Sequence, residues 1–159
     1  MEQKALSNWL KIVLLGVGLC GLIVYFFIIP SYGQNLAQRN PEFAHCYVPW
    51  LVFLWITAMP CYAALALGWR IAANIGRDQS FSRANAEHLK RISWLAACDS
   101  AYFFVGNVVL LLLNMSHPGI TLLSLLVVFA GIAVTVAAAA LSHLVQKAAV
   151  LQEQSDLTI

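Results

Sequence analysis

Few side chains in this sequence could do chemistry, and their spacing is poor for it. Asp99 is the only acid inside a long apolar stretch, and an ionisable group in such a place is by default a proton-relay, ion or ligand position. The competing reading is a carboxyl paired or neutral between helices, because Asn107, Asn114 and Thr135 are sparse polar company for a transport path. His45 beside Cys46, His117 and His143 could be metal or haem ligands, but no two share a ligand spacing. Ser100, His143 and Asp99 can be named as a hydrolytic trio. Serine and histidine are common enough that chance supplies one.

Cys20, Cys46, Cys61 and Cys98 form no CxxC pair. Only Cys46 is expected on the outer side of a membrane, so no intramolecular disulfide is expected. Gly16, Gly18 and Gly21 lie in an apolar run rather than after a strand. They read as helix-packing positions and not as a phosphate loop. No catalytic, cofactor-binding or metal-ligating residue is therefore assigned, and an enzyme is not expected.

The elements that must carry these residues follow from composition. The chain has 159 residues, 61% hydrophobic and 10% charged, which no water-soluble fold can bury. A bilayer span needs about 20 apolar residues. Four stretches qualify, and the expected spans are about 10–30, 47–70, 92–115 and 120–146. Asp99 interrupts the third. An acid at mid-helix costs roughly 2.5 to 3.5 kcal/mol on the insertion scale, while Leu, Ile, Phe and Val each return about 0.3 to 0.6. Phe103, Phe104, Val105, Val108, Val109 and the Leu110–Leu113 run outweigh it. The fold class is thus all-α: an integral membrane four-helix bundle, one transmembrane domain over 1–159.

Orientation follows from Lys and Arg, which accumulate in cytoplasmic segments. Lys4, Lys11, Arg70, Arg77, Arg83, Lys90, Arg91 and Lys147 share one side, and only Arg39 lies on the other. Both termini, a loop at 74–91 and a tail at 147–159 are expected in the cytoplasm, with the chain multi-pass in the inner membrane. Its net charge of +2 is too small to argue for nucleic acid on its own, and no direct contact with nucleic acid is expected.

Within this frame, Pro30 to Cys46 form an outer loop. Pro60 should bend the second span, opening space or bringing Cys61 toward a neighbour. Ser82 is a plausible N-cap for a helix running into the third span, with Glu87 placed to pair with Arg91. Phe81 either anchors the loop at the membrane surface or fills a groove. The small residues of the fourth helix, from Ala130 and Gly131 through Ala137–Ala140, predict an interior position for it.

Two segments are patterns rather than compositions: Phe81-Ser82-Arg83-Ala84-Asn85 in the loop, and the terminal Asp156-Leu157-Thr158-Ile159. On these the chain resembles domain-of-unknown-function family 2975, a group of bacterial membrane proteins. The resemblance implies four transmembrane helices, a Phe-Ser-x-x-Asn loop after the second and an acidic tail ending Asp-Leu-Thr-Ile. Members are often encoded beside a small Cro-type helix-turn-helix regulator, which implies a cytoplasmic partner.

The leading functional expectation is a regulatory or interaction protein. Its candidate contact residues are Phe81, Ser82, Arg83, Asn85, Asp156, Leu157, Thr158 and Ile159. The alternative is a subunit of an oligomeric small-molecule or ion transporter or channel using Asp99, a reading in which a homo-oligomer is expected. A membrane redox protein using the cysteines ranks third.

Overall fold

The computed structural model describes residues 3–156, which fold almost wholly into helices. Helix α1 (Gln3–Ile23) continues through a π-helical turn at Val24–Ile28 into α2 (Ile29–Arg39). A 3-10 stretch at Pro41–Cys46 leads to α3 (Tyr47–Gly76), followed by α4 (Arg83–Leu112) and α5 (Pro118–Asp156). Four stretches, Gln3–Arg39, Pro41–Gly76, Arg83–Leu112 and Pro118–Ser155, are long and apolar enough to cross a membrane. Their large apolar side chains point outward: Phe27, Leu112 and Phe129 are 69%, 76% and 69% exposed. That surface suits lipid and not water. The chain is an all-helical, multi-pass membrane protein.

Pro30 does not end the first helix, as the sequence suggested. The Ile29 amide bonds to the Val24 carbonyl, five residues back, and Pro30 has no amide hydrogen. Neither can serve the Tyr25 carbonyl, which accepts instead from the Trp55 indole Nε1 at 3.0 Å. A partner on the next helix thus satisfies the group that proline and the π turn release. The helix then runs on to Arg39, so most of the expected outer loop is helical.

The helices pack in chain order. α1 lies on α3, α3 on α4 and α4 on α5, whereas α1 meets neither α4 nor α5 among the described residues. Hydroxyls stitch neighbouring backbones together. Tyr62 donates to the Gly18 carbonyl at 2.8 Å, Ser93 to Thr135 at 2.9 Å and Ser142 to Ala86 at 2.7 Å. Gly21 admits the same Tyr62: a Cβ there would stand 2.9 Å from its hydroxyl.

The open row corrects the expectation for the last helix. α5 packs on α4 alone and forms an edge. Its covered residues, Ser124, Gly131, Thr135, Ala138, Ser142 and Ala149, recur at spacings that make one narrow seam. Ala137, Ala139 and Ala140 fall off that seam and are exposed. Small residues were needed on one stripe only.

Candidate functional site

Two regions gather the polar side chains. The first is the end of the row where α3 turns into α4. Helix α3 closes with the Asp78 amide on the Ile75 carbonyl and the Gln79 amide on Asn74, at 3.1 and 3.0 Å. This is a Schellman closure. The residue after the cap must turn left-handed, and Asp78 does so, with φ of 63°.

Ser82 then caps α4, its Oγ accepting the Asn85 amide at 3.3 Å. Asn85 is 1% exposed. Its Nδ2 donates to the Gln79 and Ser80 carbonyls at 3.0 and 3.1 Å, and its Oδ1 accepts from Asn74 Nδ2 at 2.8 Å. Every polar atom of that side chain is used within the loop. The Ser and Asn of the Phe-Ser-x-x-Asn pattern are thus structural, and Asn85 is closed to any partner, contrary to its place among the expected contact residues.

Phe81 is the opposite case. It is 57% exposed and fills no groove. Arg83 points to α5, where its Nε and Nη2 donate to the two carboxylate oxygens of Glu153 at 2.9 and 2.6 Å. Ser80 Oγ reaches Gln3 Oε1 at 3.0 Å, so the beginning of α1 joins the same end. Below it, Ser7, 2% exposed, donates to the Ala72 carbonyl at 2.6 Å. Asp156 ends α5, whereas Leu157, Thr158 and Ile159 lie outside the described residues.

The second region lies deeper, between α3 and α4. Asp99 Oδ2 accepts from the Cys61 thiol at 3.7 Å, so the residue after Pro60 does meet a neighbour. Oδ1 is buried and has no hydrogen-bond partner among the described residues. Close by, the Tyr25 and Thr57 hydroxyls share a bond of 2.9 Å. The four cysteines are free, and among the described residues no group of three His, Cys, Asp or Glu could hold a metal. His117 Nδ1 instead accepts the Gly119 amide at 3.1 Å, capping the start of α5.

A family model described as a protein of unknown function, DUF2975, matches residues 31–159. The chain belongs to this family. The match takes in α3, α4 and α5 with both sequence patterns, and leaves α1 outside. The uncharacterized membrane protein YoaS of Bacillus subtilis (strain 168) is 31% identical over 155 residues, covering 95% of this chain and 96% of its own. That likeness extends through α1. No solved structure matches the chain.

Glu153, Asn74 and Gln3 were not singled out in the sequence. Arg83 and Glu153 are separated by 70 positions, and only helix packing brings them together. Asn74 carried a usable signal, since an asparagine one turn before a helix end suits the closure of a loop.

Proposed function

We propose that the loop end faces the cytoplasm of a bacterial cell and is a docking platform that holds a cytoplasmic regulator at the inner membrane. One observation carries the reading. The Arg83–Glu153 pair closes the loop against the last turns of α5, so the Phe81–Asn85 pattern lies beside the end of that helix. α5, with 39 residues, is about 58 Å long at 1.5 Å per residue, against a hydrocarbon core of about 30 Å. Its last turns therefore stand in water beside the loop. Phe81 supplies an exposed apolar contact, and in the sequence Asp156 to Ile159 follow the last turns of α5. The partner class, a small helix-turn-helix protein, comes from the family resemblance, and this chain contributes no DNA-reading element.

Deleting Asp156 to Ile159 tests the reading. The expected outcome is a folded membrane protein that no longer co-purifies with a small helix-turn-helix regulator of the kind the family resemblance implies. Undiminished capture would contradict the proposal, and loss of the protein from the membrane would assign the tail to the fold.

A second reading, a transporter or channel subunit, rests on the unpartnered Asp99 oxygen. The open row exposes both edge helices, so further copies would have to complete a conduit. Asp99→Asn should then abolish transport while the protein stays folded. The redox reading has less support: the cysteines are unpaired with one another, Cys46 meeting only the adjacent His45 imidazole at 3.3 Å and Cys61 meeting Asp99.

A further inference from the structure

An open groove of about 630 Å³ runs between α3 and α4 toward the loop end. Its α3 wall is Ala63, Ala66, Leu67 and Arg70. These positions recur every three or four residues and form one helix face. Its α4 wall is Arg91, Trp94, Leu95 and Cys98, which repeat the same spacing in the opposite direction. Each wall is thus an apolar stripe ending in an arginine, and the two arginines lie at the same end. The alanines explain why there is space: larger side chains at 63 and 66 would close the gap between the helices.

We infer that this groove is a binding site for one anionic glycerophospholipid, its phosphate held by Arg70 and Arg91 and an acyl chain laid along the apolar walls. Charge complementarity selects the occupant. Arg70 makes no ion pair among the described residues, and Arg91 engages Glu87 through Nε at 3.2 Å, leaving its two terminal nitrogens for a phosphate. Arg70 and Arg91 close the same end of the two walls, so the mouth carries two guanidinium groups. Basic pockets between membrane helices are suited to acidic headgroups. Trp94, 65% exposed, stands at the rim at headgroup level, where indole rings concentrate. From Ala63 to Arg70 the wall is about 10 Å long at 1.5 Å per residue, enough for part of an acyl chain but far longer than a phosphate needs. A free phosphate would leave the apolar walls unused.

Native mass spectrometry of the full chain, in detergent with equal phosphatidylglycerol and phosphatidylcholine, tests the site. One phosphatidylglycerol should be retained per chain in preference to phosphatidylcholine. Arg70→Gln with Arg91→Gln should weaken retention about 30-fold, the factor for two basic side chains near a membrane surface. Arg77→Gln with Lys90→Gln removes equal charge outside the groove and should leave retention unchanged. Ala63→Leu with Ala66→Leu keeps the charges, fills the groove, and should also weaken retention; it decides the matter if the arginine variant does not fold. Equal retention of both lipids, equal loss in the Arg77/Lys90 control, or unaltered retention in the leucine variant would overturn the assignment. So would displacement of the lipid by millimolar glycerol 3-phosphate, which would mark a site for phosphate alone.

Discussion

Asn85 and Asp99 stand on the same helix in opposite circumstances. Asn85 is sealed in the loop with its amide oxygen and both amide hydrogens bonded. Asp99 faces α3 with a single weak donor, the Cys61 thiol, and one oxygen unserved. A buried polar side chain with all its bonds made is a structural part. One left short costs stability. The residue inside the family pattern is therefore scaffold, while the surface it builds presents Phe81 and the end of α5.

The contrast predicts opposite signs. Asn85→Ala removes three hydrogen bonds worth roughly 1 kcal/mol each and strands buried partners, so it should lower stability by about 3 kcal/mol and loosen amide exchange across Gln79 to Ala84. Denaturation in mixed micelles measures this, and an unchanged midpoint would break the comparison. Asp99→Leu should raise stability by about 1 kcal/mol, because an under-served polar group gives way to an apolar one. A loss of similar size would make Asp99 structural like Asn85. Smallest is Arg83→Ala. The pair with Glu153 is exposed, at 68% and 52% for its two side chains, and such pairs contribute roughly 0 to 1 kcal/mol. Its global stability should barely move, while cross-linking between the loop and α5 falls.

Much of this was legible in the sequence because local rules fix it. Apolar run length gave the four spans, and Ser82 as N-cap with Glu87 paired to Arg91 followed from helix spacing. Misreadings arose where distant residues decide. Pro30 reads as a helix end until Trp55 is found donating to the carbonyl it would strand. The alanines of α5 read as an interior helix, because composition counts small residues without saying which face they occupy. Asn85 reads as a contact residue because a motif shows which residues matter, and only the three bonds show why.

Placing the photoreactive residue p-benzoylphenylalanine at Phe81 in living cells tests the proposed docking platform most directly. Irradiation should give an adduct with the mass of this chain plus the small helix-turn-helix regulator, and no such adduct from the same residue at Phe104, 44% exposed within the membrane-spanning part of α4. Adducts with lipid alone at Phe81, with the regulator present in the cell, would contradict the account.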